Sequence, residues 1–583
     1  MQHIKTEASR SQKEIFKREG PCSRIQILFG KDFCLSAHLQ QSEDNNRLYL
    51  PALLVGAVFA LLLALWWSLD HSYPLWDAGS HFQDAIKYAE LIRHPKLLNG
   101  KFWQEFLTVN FNYPLTQHFI YGLSKALFGC GRFSDALVNL LFSLTLSIAL
   151  ALLTKFCGGS KKAMALSIAL INFYPATIQF SHSQMLDFGH LALSALALAA
   201  LAAFQQKQNG KTFLFLALAL ALGATAKQAA AVFLVAPSLF LLLYFFKQGN
   251  WRAVAGLATA GGITALALLL WILPNYKALK EWRDYYQPQT GASLGAAGQA
   301  PVFFEHLRLY LEGLVGLMSP LLLGLFLIAL AVSFRRFKKR SLVENLLLIS
   351  AVSGIPLMSI LAMNNAEARY VMPVLTWAAV QSALLLETLL EKGKLTSLLA
   401  ACTIALAFTQ YAVLSFSPYP LALGKELTAA VKKLAMAEFD FTGPPFSPSP
   451  PDDPWGQHWL IENIEKDAAG KPVFLNLLPS TRELSVHTLT VAFKLESKQP
   501  VAISTFRRFT LNGDVFEYSP EQLAFYQYYL VKDGYNGKPL LDESSSKNWK
   551  TLLETLIDKQ KYVELGRKTV SDGSVMRLYK RIF

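Results

Sequence analysis

Asp77 is the first residue along the chain whose type and place suit acid–base chemistry. It stands eight residues beyond the first long apolar run and heads DAGSHFQDAIKYAELIR (77–93), with His81 on the same helical face. A carboxylate at a membrane surface can take a proton from an incoming hydroxyl, at the depth where a lipid headgroup is presented. It can equally cap the helix it opens. Asp187, in SHSQMLDFGH, opens a later apolar run beside His182 and His190. Acids at such positions are costly unless wet or paired, and functional by default, although capping accounts for this one too. Lys227 sits in a pinched turn between two apolar runs, where it either meets a phosphate or snorkels from a helix end. Glu367 and Arg369 precede Tyr370 and can be a plain ion pair. His81, His118, His182 and His190 admit a divalent metal with Asp77 or Asp187, but their spacing has no tight ligand pattern, so no cofactor is assigned.

These residues need elements to hold them at one depth. Of 583 residues, 52% are hydrophobic and 16% charged, against about a quarter charged in soluble domains. The apolar residues fall in runs long enough to cross a bilayer, and in lipid such runs must be helices. Eleven spans are expected, at about 49–69, 133–154, 162–179, 186–203, 212–226, 229–247, 252–273, 311–333, 342–362, 370–389 and 396–415. Lysines and arginines gather in alternate short loops, and the tail before Leu48 holds eight of them against six acids. The positive-inside rule then puts the N-terminal tail (1–47) in the cytoplasm. Loops 70–132 and 274–310 and the C-terminal domain fall outside a cytoplasmic (inner) membrane, on the periplasmic or extracellular side. The net charge of +14 thus reports topology, and no nucleic-acid module accompanies it. The first run lacks a cleavage site and reads as a retained span. Five scattered cysteines, none of them in the C-terminal domain, exclude a disulfide-stapled ectodomain there and a Cys-based zinc site.

The 70–132 loop is too long for a connector. Residues 77–93 and 114–129 carry amphipathic patterns suited to helices lying in the interface. After the 48–416 bundle comes a stretch (417–455) with six prolines between Pro444 and Pro454, which reads as a stiff spacer. Residues 456–583 then read as a small external α/β domain. Helices are expected at 459–468, 485–495 and 548–558, and strands at 472–478, 501–506 and 525–531. A hairpin closes over Ser571–Asp572–Gly573. No repeat, phosphate-binding glycine loop or serine-centred nucleophile elbow is present.

In order along the chain stand Asp77, the Tyr113–Pro114–Leu115 segment leading to a helix ending Leu127–Phe128–Gly129, Asp187, Gly223-x-x-x-Lys227, and Arg369–Tyr370-x-x-Pro373. In this layout the chain resembles the GT-C superfamily of membrane glycosyltransferases. It is nearest there to the group of dolichyl-phosphate-mannose protein mannosyltransferases and bacterial aminoarabinose transferases (family 39-like). It departs from that group in having Ala78 after Asp77 and no Lys-Pro-Pro at 112–115. The resemblance implies inverting transfer of a sugar from a polyprenyl-phosphate donor to a glycan, lipid or protein hydroxyl outside the membrane. Asp77 would then be the base and Asp187 a second, positioning carboxylate. Lys227 and Arg369 would neutralise the donor phosphate, with Tyr370 lining the cavity, His118 and Tyr113 binding substrate beside it, and His81 a further catalytic candidate. A lipid phosphate brings its own anchor, so such a protein must supply only alignment, a base and positive charge. Two rivals handle related ligands. A polysaccharide ligase or polymerase is expected to carry a large loop denser in Arg and His than 274–310. A transporter is expected to show broken helices or deep polar groups. A scaffold carrying a glycan-binding domain is a third reading.

Overall fold

The computed structural model of the protein describes residues 49–291, 299–335, 340–361, 366–435, 446–453, 455–479, 481–497, 499–505, 510–511, 514–515, 525–533, 554, 557 and 561–582. The expected N-terminal tail and nearly all of the expected 548–558 helix lie outside the described residues.

The protein is a polytopic helical membrane protein. Its helices run α1 (Leu50–Leu69), α2 (Asp77–Arg93), α3 (Gly100–Thr108), α4 (Thr116–Phe128), α5 (Arg132–Phe156), α6 (Lys161–Phe173), α7 (Pro175–Ser181), α8 (Leu186–Gln206) and α9 (Gly210–Ala224). They continue with α10 (Gln228–Lys247), α11 (Trp251–Gly291), α12 (Gln299–Met318), α13 (Pro320–Arg335), α14 (Leu342–Leu361), α15 (Val374–Lys392), α16 (Lys394–Phe416) and α17 (Lys425–Leu434). Among the described residues, eight helices are long and apolar enough to span, or ten spans result if two bent pairs count as one each.

The departures from eleven straight spans have local causes. The run expected at 162–179 bends by 70° between α6 and α7, and the one expected at 311–333 bends by 111° between α12 and α13. Both breaks fall at the residue before a proline, where the helical conformation is disfavoured. Tyr174 is extended before Pro175, and Ser319 takes a positive φ of 69° before Pro320. The run at 212–226 is the short α9, whose 15 residues rise only about 22 Å. The expected 274–310 loop is largely helical, because α11 runs on to Gly291 and α12 begins at Gln299.

Alanine-rich α8 is the buried centre of the bundle. Small side chains let its neighbours come close: a Cβ on Gly223 of α9 would lie 3.0 Å from Ala197 Cβ and from the Leu193 carbonyl. Peripheral α1 and α11 keep most of their apolar surface outward, as lipid-facing helices do.

The two amphipathic segments of the 70–132 loop form α2 and α4, which pack against each other, with the unexpected short α3 between them. Their contact is close: a Cβ on Gly122 would fall 2.4 Å from Tyr88 Cβ.

The C-terminal part has helices α18 (Gln457–Ala468) and α19 (Val486–Glu496) over a five-stranded sheet. Its strands are β1 (Val473–Leu477), β2 (Val501–Thr505), β5 (Tyr528–Lys532), β6 (Tyr562–Thr569) and β7 (Val575–Arg581), in the order β2-β1-β5-β7-β6. Strand β1 pairs parallel to β2 and β5, and β7 pairs antiparallel to β5 and β6. The expected hairpin turn joins β6 to β7, with Gly573 at φ 81°. A two-residue pair, β3 (Thr510–Leu511) with β4 (Asp514–Val515), stands apart. Leu460, Ile464, Leu475, Leu489, Leu530 and Leu578 fill the core.

This domain is docked on the bundle. Val491 of α19 packs on Phe82 and Ile86 of α2. The described part of the proline-rich stretch is held down as well. The Phe446 carbonyl accepts from Trp66 Nε1 at 2.9 Å and sits 2.8 Å from His182 Nδ1. The Ser449 amide donates to Asp70 at 2.8 Å.

Candidate active site

Four ionisable residues far apart in sequence meet at the end of the bundle covered by α2, α4 and the C-terminal domain. Lys227 Nζ donates to Asp187 Oδ1 at 2.6 Å. Arg369 Nη2 donates to Asp77 Oδ2 at 3.1 Å, and its Nη1 lies 3.8 Å from Asp187 Oδ2. Its Nε pairs with Glu367. The result is a continuous chain, Asp77–Arg369–Asp187–Lys227, with Glu367 on its flank. Asp187, Lys227 and Arg369 are buried, whereas Asp77 is 36% exposed.

The local structure bears on the capping and snorkelling readings. Asp77 is the first residue inside α2, and Trp76 holds the cap position without a side-chain capping bond. Asp187 likewise lies inside α8 behind Met185. Neither carboxylate caps its helix, and both turn to cations. Lys227 is buried against Asp187 rather than reaching toward solvent. Tyr370 lies under both cations, with Lys227 Nζ at 4.7 Å and the Arg369 guanidinium at 5.8 Å from its ring centre. Tyr113 is 5.9 Å from Lys227 Nζ, and burial raises the ionisation of both phenols well above the ordinary range.

The histidines divide. His81 Nδ1 and His118 Nε2 lie 3.0 Å apart, joining α2 to α4, and His81 meets the Tyr113 ring edge-on at 5.3 Å. Burial lowers both imidazoles, His81 well below its ordinary value and His118 to about 4. His182 stacks on Trp66 at 4.1 Å and serves the docking of Phe446. His190 is buried one turn beyond Asp187. Among the described residues no three His, Cys, Asp or Glu side chains gather as a metal would need.

Several supporting residues carry no sequence signal of their own. Gln117 Nε2 donates to the carbonyls of Leu186 at 2.6 Å and Ala226 at 3.0 Å, bracing the residues just before Asp187 and Lys227. The Thr116 and Thr225 hydroxyls meet at 2.6 Å beside it. Trp76, at φ 46°, is strained for a bulky residue. Its amide donates to Thr488 Oγ1 of the C-terminal domain at 3.0 Å. Asp77 therefore hangs from a backbone that both parts of the molecule hold.

Residues 112–276 match the family model described as dolichyl-phosphate-mannose-protein mannosyltransferase. That stretch contains Tyr113, His118, Asp187 and Lys227, but not Asp77 or Arg369. No curated protein matches the chain. Among solved structures, ArnT from Cupriavidus metallidurans bound to undecaprenyl phosphate superposes with a TM-score of 0.49 at 14% identity, covering 90% of this chain and 97% of that one. The apo state of the same protein gives 0.48 and 13% over the same shares.

Proposed function

We propose that this chain is a membrane glycosyltransferase of GT-C type that moves a sugar from a polyprenyl-phosphate donor to an acceptor hydroxyl, with inversion, outside the cytoplasmic membrane. The observation that carries this reading is the cluster itself: two buried cations and a part-exposed carboxylate joined at one end of the bundle. The family likeness of residues 112–276 supports it.

In this reading the donor phosphate binds at Arg369 and Lys227. A guanidinium has five N–H donors and an ammonium three, so each can take phosphate oxygens while keeping a carboxylate partner. A phosphate on Arg369 competes with Asp77 for the same guanidinium and turns the carboxylate toward the acceptor. The acceptor oxygen then attacks the anomeric carbon from the face opposite the phosphate and gives its proton to Asp77 as the carbon–oxygen bond to phosphate breaks. The electron pair leaves with the lipid phosphate, where Arg369 and Lys227 meet the new charge. Asp187 touches no reacting atom here. It holds the two cations together.

The test is to incubate the purified protein with polyprenyl-phosphate sugars of several kinds, each with a mixture of glycan, lipid and peptide acceptors, and score release of the lipid phosphate. No release from any of them overturns the reading. The bent pairs α6–α7 and α12–α13 favour a second reading, a lipid or solute transporter, since such folds break helices at their binding sites. Translocation of an uncleaved lipid-linked sugar in proteoliposomes would support that instead.

A further inference from the structure

One cavity lies away from the charge cluster. It encloses about 320 Å³ between the segment leading into Asp77 and the C-terminal domain. One wall is His71–Leu75; the other comes from the docked proline-rich stretch, α18, α19 and the loop before α19. Leu75 is two residues from Asp77, so their Cα atoms are at most about 7.6 Å apart, and the cavity borders the segment that carries the proposed base.

We infer that this cavity is the acceptor subsite, and that it takes the end of an uncharged, hydroxyl-rich glycan. The inference rests on the transferase reading and adds the acceptor's chemical class. The size is at the lower end of the roughly 300–1,000 Å³ typical of small-molecule sites, which suits a short glycan end and leaves no room for acyl chains. The lining includes the Tyr73 and Trp455 rings and three carboxylates, Asp453, Glu483 and Glu496. Aromatic faces take the C–H side of a sugar ring, and carboxylates accept from hydroxyls with lone pairs beyond those already used.

Each carboxylate is held in place by a partner. Asp453 pairs with Lys568 at 2.7 Å, Glu483 with Arg482 at 2.5 Å, and Glu496 lies 2.8 Å from His458 Nδ1. Burial and the neighbouring Glu496 raise the Tyr73 phenol. The lining cations Arg482 and His458 are already engaged by Glu483 and Glu496, which disfavours an anionic ligand such as a phosphorylated headgroup or a uronate.

The wall is fixed independently of any ligand. The His71 amide donates to the Ser449 carbonyl at 3.1 Å, the Ser449 amide returns to Asp70 at 2.8 Å, and Arg132 pairs with Asp70. The cavity is thus built before a sugar arrives.

The experiment is titration calorimetry on the full-length protein with three probes: cellobiose, di-N-acetylchitobiose and digalacturonate. Binding of at least one neutral disaccharide, and weaker binding of digalacturonate, is expected. Glu496→Gln and Tyr73→Phe, which keep shape and packing, should each weaken the neutral probe at least tenfold and leave acceptor-independent release of lipid phosphate unchanged. No binding by either neutral probe, preference for digalacturonate, or unchanged binding in both variants would overturn the inference. Sugar binding that persists while no donor releases its phosphate would instead overturn the transferase reading and leave this cavity a glycan site.

Discussion

Arg369 answers three carboxylates with one guanidinium: Asp77 through Nη2, Glu367 through Nε and Asp187 through Nη1 at longer range. Buried ion pairs contribute little net stability, yet breaking one costs about 3–5 kcal/mol because a charge is left behind. Removing Lys227 or Asp187 singly is therefore a poor probe of chemistry. Asp77 is the exception, being part-exposed at the edge of the cluster, where an ion pair is worth about 0–1 kcal/mol. Asp77→Asn keeps the shape and leaves α2 intact, since no capping bond is at stake. Turnover at saturating donor should fall about 10²–10⁴-fold, the usual contribution of a placed base, with thermal stability nearly unchanged. A stable variant within a few-fold of wild-type turnover removes Asp77 from the mechanism and makes Asp187 the next candidate. The residue types at this site were legible because charged groups at span ends stand out against apolar sequence. Their partnerships were not legible, because Asp77 and Arg369 are 292 positions apart.

Among the elements, α4 carries more of the site than its sequence suggests. Its Gln117 reaches both the start of α8 and the turn before α10, and an amide that donates to two carbonyls leaves no periodic trace. Gly189 of α8 makes room for it, since a Cβ there would fall 2.1 Å from Gln117 Oε1. Gln117→Leu abandons two buried carbonyls, at about 1–3 kcal/mol each, and Gly189→Ala drives the same amide away. Both variants should raise the KM for donor, and the double variant should be no worse than the worse single one, as coupled neighbours behave.

The His81–His118 bridge between α2 and α4 gives a pH signature. His118 protonates near 4 when folded against 6.5 ordinarily, and His81 is also lowered. Between those values the unfolded chain binds protons that the native state refuses, so stability rises with pH and levels off above about 6.5. Melting temperature should drop by several degrees from pH 7 to pH 5, less steeply in His118→Gln. Amphipathic α2 and α4 were visible as patterns, but the breaks in α6–α7 and α12–α13 were not expected from the runs at 162–179 and 311–333. What composition hid was that a span can be apolar throughout and still bend sharply before a proline.

At the scale of the whole molecule, the charge-bearing loops set the orientation proposed here. Single cysteines placed in the C-terminal domain, on a background lacking the native cysteines, should label with impermeant reagents from outside intact cells. Labelling from the cytoplasm alone would sink both the orientation and the proposed site. The β-rich domain was readable from its turn residues and alternating strands. Its seat on the bundle was not, because the polar contacts at Phe446 and Ser449 run through backbone groups that every residue shares.

One of those contacts bears on how the protein is made. The amide of Trp76, next to Asp77, is held by Thr488, which lies 412 positions later. At the roughly 5–20 residues per second of synthesis, that separation is about 20–80 s, and every span is already in the membrane before the clamp arrives. A chain still on the ribosome therefore has its cations and carboxylates in the bilayer but a slack loop around Asp77. Truncation before residue 488 should yield an inserted bundle that binds lipid phosphate and does not turn over. If the proposed transferase reading holds, a growing chain is thereby kept from spending its lipid carrier before the acceptor's seat exists.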